Sequence, residues 1–249
     1  MAPTVEVLSD KATLTGRAHQ VMTQSIQDAI AQRGYATIAL SGGSTPKPLY
    51  ESMVGADIDW NQLYVLWGDE RYVPHDHPRS NAKMASDAWL SRIDIPSQNV
   101  LPMPTSAGDP STDAKKYAQT LTDFFQGRQE IDIANGKFPQ VDFVLQGMGD
   151  DGHTASLFPH TDALDVCDRL VTVGNHDGEP RLTFTVPLIN RGRKVIFLVA
   201  GENKQDALSH VFDDQSDPHN YPSRFIQSAN PLWLVDAAAG QGIPDEFKA

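Results

Sequence analysis

Disulfide cross-links within the chain are excluded from the start, because Cys167 is the only cysteine among 249 residues. That scarcity suits a reducing compartment, and Leu164-Asp165-Val166-Cys167-Asp168 lacks the Cys/His spacing of a zinc site. Basic residues are also few. Lys and Arg number 20 against 32 Asp and Glu, a formal net charge of −12, which argues against broad attraction to nucleic acid or to an anionic membrane. Long apolar runs are missing too: the clearest, Val195–Ala200, is far too short to span a bilayer. Met1-Ala2-Pro3-Thr4-Val5-Glu6 has no basic patch followed by an apolar stretch, so a cytoplasmic location is expected. There is no internal repeat and no low-complexity tract.

What is present reads as α/β, in a single domain over residues 1–249. Leu14, Ala18, Val21, Ile26, Ala29 and Ile30 suit one face of a helix, with Gly34 placed to end it. The apolar run Ala36–Leu40 follows, then glycines, then a helix around Pro48–Met53. Leu63–Trp67 repeats that order, with a helix after Ser80. A further amphipathic helix spans Asp113–Phe125, where Tyr117, Leu121, Phe124 and Phe125 share a face. Val141–Gln146 and Val195–Ala200 read as buried strands, and Leu182–Val186 as an additional or edge strand. Short apolar strands alternating with helices predict an open, mainly parallel sheet with helices on both faces. In such sheets ligands bind beyond the carboxyl ends of the strands. Four strand-end segments are rich in glycine and polar residues, and they converge on one cleft if their strands are neighbours.

The first is Ser41-Gly42-Gly43-Ser44-Thr45-Pro46. Two glycines let backbone approach an anion closely, and Ser44 and Thr45 add hydroxyl donors. It matches neither Gly-x-x-x-x-Gly-Lys nor Gly-x-Gly-x-x-Gly, so no nucleotide is implied. The second, Gly68-Asp69-Glu70-Arg71-Tyr72-Val73-Pro74, carries a guanidinium suited to bidentate anion binding. Asp69 and Glu70 are candidates to orient sugar hydroxyls or to pair with local cations. His75-Asp76-His77 offers no third metal ligand by spacing, so no metal site is expected there. The third, Gly149-Asp150-Asp151-Gly152-His153-Thr154, sets a histidine in a tight turn near an expected helix start. Histidine suits general-base work, and Asp150 or Asp151 is placed to orient it, as the carboxylate of a catalytic triad does. Ser156 is outside a Gly-x-Ser-x-Gly elbow and is not read as a nucleophile. The fourth combines Arg181, in Pro180-Arg181-Leu182-Thr183-Phe184-Thr185, with Lys204, in Gly201-Glu202-Asn203-Lys204. With Arg71 they supply the local positive charge that the acidic whole lacks.

These segments, in this order, resemble the 6-phosphogluconolactonase family of the glucosamine-6-phosphate isomerase/deaminase superfamily. The resemblance rests on Ser41–Pro46, on Asp69-Glu70-Arg71 with Val73-Pro74 and Ser80-Asn81, and on Gly147-Met148-Gly149-Asp150-Asp151-Gly152-His153-Thr154-Ala155-Ser156-Leu157-Phe158-Pro159. It continues through Pro180–Thr185 and Gly201–Lys204 to the Trp233-Leu234-Val235-Asp236 stretch. His160 departs from it, standing where glycine is more usual, and Gly127–Pro139 adds nothing to it.

The resemblance implies a Rossmann-like fold and hydrolysis of 6-phospho-D-glucono-1,5-lactone without metal or organic cofactor. His153 would be the catalytic base; Asp151 is the first candidate to hold its ring, with Asp150 the alternative. Gly42, Gly43, Ser44, Thr45, Arg71, Arg181 and Lys204 would bind a sugar-phosphate substrate, and Asp69 joins them as the candidate for its hydroxyls. A monomer or homodimer is expected, with no nucleic-acid or membrane partner. Two other readings compete. An amino-sugar-phosphate isomerase/deaminase would use Asp69 as its proton shuttle, but the Leu157-Phe158-Pro159 continuation and Arg71 favour the lactonase. A non-catalytic sugar-phosphate sensor is disfavoured by the acidity and by the lack of a helix-turn-helix before the first helix.

Overall fold

The computed structural model describes residues 3–227 and 231–248. In chain order the elements begin with β1 (Thr4–Leu8), α1 (Lys11–Arg33), β2 (Ala36–Leu40), α2 (Lys47–Met53), β3 (Leu63–Trp67), β4 (Asp69–Arg71), α3 (Asn81–Ala88) and α4 (Pro110–Phe125). They continue with β5 (Phe143–Gln146), β6 (Val171–His176), β7 (Glu179–Phe184), α5 (Val186–Asn190), β8 (Lys194–Val199), α6 (Gln205–Val211), β9 (Leu232–Asp236) and α7 (Ala237–Gly240).

The start of α1 is set by Asp10, whose carboxylate accepts the Thr13 N–H at 2.8 Å, and its end by Gly34 at φ +76°. Its buried stripe steps by four residues through Leu14, Ala18, Met22 and Ile26, then by three to Ala29. Val21 and Ile30, expected on that face, are half-buried at its margin. Each large side chain so buried stabilises the fold by roughly 1.5–3 kcal/mol. α4 begins three residues before the expected start, with Asp109 as its cap and Pro110 in its first turn.

Six strands form a wholly parallel sheet in the order β1-β9-β8-β5-β2-β3. β2, β5 and β9 are buried at every residue. In a pleated strand that requires cover on both faces, which explains why these segments read as continuous apolar runs. From β2 the chain moves outward to β3, and from β5 outward in the opposite direction to β8 and β9. The direction of winding therefore reverses between β2 and β5, and a crevice opens beyond their carboxyl ends.

β2 and β5 are joined in register only at Ile38–Phe143 and Ala39–Val144. Their amino ends are tied by Asp142, which is 4% exposed. One of its oxygens accepts both the N–H and the O–H of Thr37, and the other accepts from Arg33 at 2.7 Å. Arg193 approaches the same oxygen at 3.3 Å. This anchor lies at the end of the sheet opposite the crevice.

The sequence did not point to a second, antiparallel sheet of order β4-β7-β6. The strand expected at Leu182–Val186 is β7, which belongs to this sheet and runs from Glu179 to Phe184. β6 and β7 form a hairpin whose two-residue turn, Asp177 at φ +52° and Gly178 at φ +85°, has the left-handed backbone favoured by the right-handed twist of paired strands. The Phe184 N–H donates to Gly68 O at 2.7 Å, fastening this sheet to the end of β3.

Candidate active site

The carboxyl ends of β2, β3, β5 and β8 open on a cleft of about 440 Å³. Gly42, Gly43, Ser44, Thr45, Asp69, Arg71, His153, Arg181 and Lys204 all line it. Asp151 meets it through His153. The four sequence segments thus come together, because β8, β5, β2 and β3 are adjacent in that order.

Past β5 the chain closes a tight loop, in which the Gly149 N–H donates to His153 O at 2.8 Å and the Gly152 N–H to Gly149 O at 3.2 Å. From outside the cleft, Ser223 donates both its N–H and its O–H to Gly152 O. The helix expected after His153 is not there. Leu157 N–H donates to Thr154 O across a turn with Ala155 at φ +48°, and Pro159 disfavours helical backbone at Phe158.

His153 Nδ1 stands 2.6 Å from Asp151 Oδ1, and the same oxygen accepts the His153 backbone N–H at 3.0 Å. Burial works against ionisation of Asp151, but the imidazole's hydrogen bond and charge outweigh it together with the backbone N–H. The carboxyl is brought down to about 2. An ionised acceptor at Nδ1 holds that nitrogen's hydrogen in the pair, so that in the neutral ring the lone pair is on Nε2. Nε2 has no hydrogen-bond partner among the described residues. The sequence left Asp150 and Asp151 both open; Asp150 is exposed at the cleft, and Asp151 makes the contact.

Arg71 and Arg181 face each other directly across the β4–β7 ladder. Neither forms a salt bridge among the described residues, and each has a buried Nε without a hydrogen-bond partner. Burial and the Arg71 charge both lower the Arg181 pKa. Like charges directly opposite in a sheet are destabilising, so this pair favours an anion between or beside its members. Arg71 donates to Arg79 O at 2.9 Å, and the Arg181 guanidinium sits 5.2 Å from the centre of the Phe158 ring. Lys204 closes the short turn after β8 and supplies a third cation.

The start of the glycine loop is pinned by Tyr50 of α2, whose hydroxyl donates to Ser41 O and accepts the Ser41 N–H. Gly42 leaves room for Asn81: a Cβ there would meet Asn81 Oδ1 at 1.9 Å and push the Asn81 amide off Asp69 O. Asp69 lines the cleft with one carboxylate oxygen bound by the Ser156 hydroxyl at 2.7 Å. Ser156 is fully buried.

Glu70 is not a substrate contact. It is fully buried, away from the cleft. Its carboxylate accepts the N–H groups of Arg71, Asn81 and Ala82 and the Ser80 hydroxyl. That clasp fixes the start of α3 and brings Asn81 to the site. The His75 ring bonds Met103 O, and no group of three or more His, Cys, Asp or Glu among the described residues is arranged to hold a metal ion.

Lys11, Asn81, Gln146 and Asn203 also line the cleft, and sequence reasoning gave none of them a role. Asn81 was in the recognised Ser80-Asn81 pair. Lys11 had no signal, because β1 before it was not expected.

An open doubly wound sheet with a histidine–carboxylate pair and unpaired cations at its switch point defines an enzyme of anionic small molecules. The particular family follows from comparison with known proteins. Residues 9–234 match the model for glucosamine-6-phosphate isomerases/6-phosphogluconolactonase. The chain is 56% identical over 244 residues to a 6-phosphogluconolactonase of Synechocystis sp., covering 98% of this chain and 99% of that protein. It is 54% identical over 241 residues to one of Nostoc sp., covering 96% and 98%. A solved 6-phosphogluconolactonase from Trypanosoma cruzi superposes with a TM-score of 0.85 at 29% identity, over 97% of each chain. The chain belongs to the glucosamine-6-phosphate isomerase/6-phosphogluconolactonase family.

Proposed function

We propose that this chain hydrolyses 6-phospho-D-glucono-1,5-lactone to 6-phosphogluconate, with His153 as the general base. The observation that carries the reading is the His153–Asp151 pair, with its free Nε2, in the same cleft as the unpaired guanidiniums of Arg71 and Arg181. His153 Nε2 takes a proton from water as the water oxygen bonds to lactone C1. The tetrahedral intermediate then collapses, the bond from C1 to the ring oxygen breaks, and the imidazolium returns its proton to that oxygen. The new carboxylic acid ionises to solvent. Asp151 holds the ring and stabilises its charged form.

The phosphate binds far from C1, through the glycine loop and the cations Arg71, Arg181 and Lys204. Binding energy gained there positions C1 against the water. General acid–base assistance of this kind is typically worth about 10²–10⁴-fold. Asp69 binds the sugar hydroxyls. Every one of these groups comes from one chain, so the reading requires no partner subunit; a monomer or a homodimer serves equally. No helix among the described residues is long and apolar enough to cross a membrane, and the reading places the enzyme in the cytoplasm.

The test offers freshly generated phosphogluconolactone and glucosamine 6-phosphate in parallel. Lactone loss well above its spontaneous rate, without ammonia release, is the expected result. Ammonia release, or no turnover of either compound, would overturn it.

A further inference from the structure

Phe158 is apolar and nearly buried, yet it stands among the site's ionisable groups. Its ring is 4% exposed. The His153 ring lies 4.5 Å away at 46°, the His176 ring 4.7 Å away at 61°, and the Arg181 guanidinium 5.2 Å from its centre. One aromatic ring thus neighbours both the proposed base and one of the proposed anion-binding cations.

This arrangement has a chemical logic. Arg181 forms no salt bridge among the described residues, so no carboxylate fixes its direction. A carboxylate in that position would occupy the guanidinium's N–H fork and neutralise its charge. An aromatic face attracts the cation through its quadrupole instead and leaves the N–H donors free. His153 has a similar need. Asp151 fixes one edge of the imidazole through Nδ1, but a single hydrogen bond leaves the ring free to rotate about it. Contact with Phe158 restricts that rotation, and with it the direction of Nε2.

Phe158 is itself held firmly. Leu157 before it is fully buried, the Leu157 N–H closes the Thr154 turn, and Pro159 after it fixes the backbone. Ser156 O lies where a Cβ on Gly174 would be, at 2.0 Å. The Phe158 segment is therefore locked against the β6–β7 hairpin that carries His176 and Arg181.

We infer that Phe158 is a positioning residue that aims the His153 imidazole and the Arg181 guanidinium through one ring while leaving their reactive nitrogens unoccupied. The inference rests on the functional reading above for the roles of those two groups. Phe158→Leu keeps an apolar side chain but removes the ring, and Phe158→Tyr keeps the ring.

Three quantities separate positioning from simple packing: the His153 Cε1–H proton resonance in the free protein, kcat, and KM for the lactone. In folded Phe158→Leu the resonance moves, because the ring current is gone. The kcat falls by about tenfold or more as Nε2 loses its direction, and KM rises by about threefold as Arg181 loses its support. Phe158→Tyr restores all three toward the parent. Should Phe158→Leu not fold, Phe158→Met provides the ring-free comparison. A folded, ring-free variant with unchanged kcat and KM, or an unmoved His153 resonance, overturns the inference. A parent protein inactive on lactone overturns the functional reading instead, while the resonance comparison still decides whether the Phe158 ring lies on His153, the contact that positioning requires.

Discussion

At Gly149 the chain leaves open the space that the His153–Asp151 pair occupies. A Cβ there would stand 2.1 Å from His153 Nδ1 and 2.5 Å from Asp151 Oδ1. Both contacts are too close to exist, so Gly149→Ala must displace the pair. The displacement predicts a fall in kcat of about 10²-fold with affinity for 6-phosphogluconate close to the parent's, checked by steady-state kinetics beside calorimetric titration. A variant with kcat within about twofold of the parent's would mean that the pair's geometry is not critical. The sequence displayed Gly149 as part of a tight turn, and that much was legible from glycine next to aspartate. Which aspartate reaches His153 was not, because Asp150 and Asp151 are chemically identical neighbours and only the direction of the chain separates them. Glu70 was similarly opaque. Its acidity suggested a sugar contact or a local ion pair, whereas its burial makes it the clasp of α3.

Among the elements, the longest were the most legible. α1 announces itself through a 3.6-residue period and Gly34, and β2, β3, β5 and β8 through short apolar runs. β4 is three residues of Asp69, Glu70 and Arg71, with no apolar pattern, so it read as a loop and the second sheet went with it. Its pairing with β7 depends on residues at least 110 positions away, which no local window contains. The loop after Phe158-Pro159 shows the reverse case, where an unexpected residue has a structural reading. His160 is exposed, with φ at +57°, a backbone region that costs a non-glycine residue roughly 1–2 kcal/mol. Glycine relieves that strain but adds freedom to the unfolded chain. The net expectation for His160→Gly is a gain of about 0.5 kcal/mol, read as a melting temperature about 1–2 °C higher with kcat unchanged. A lower melting temperature would show that the histidine ring contributes more than its backbone costs.

Across the whole molecule the sheet separates two tasks between its ends. The amino ends of β2 and β5 are tied by Asp142 with Thr37, Arg33 and Arg193, while their carboxyl ends carry the glycine loop and His153. Asp142→Ala leaves the Thr37 N–H and two guanidiniums without their acceptor. The cost is about 2–4 kcal/mol, a melting temperature lower by roughly 5–15 °C, with kcat of the folded protein unchanged. Loss of kcat without loss of stability would show that the two ends are coupled. The chain is acidic, −12 overall, yet four cations, Lys11, Arg71, Arg181 and Lys204, line the cleft where the substrate's phosphate is proposed to bind.

The central claim is that His153 activates water, and the measurement that tests it most directly is turnover of phosphogluconolactone by His153→Ala, with 6-phosphogluconate affinity determined on the same sample. The account predicts a kcat lower by about 10²–10⁴-fold and an affinity within about threefold of the parent's, since the phosphate contacts are untouched. Turnover near the parent's rate in that variant would contradict it and remove His153 from the mechanism.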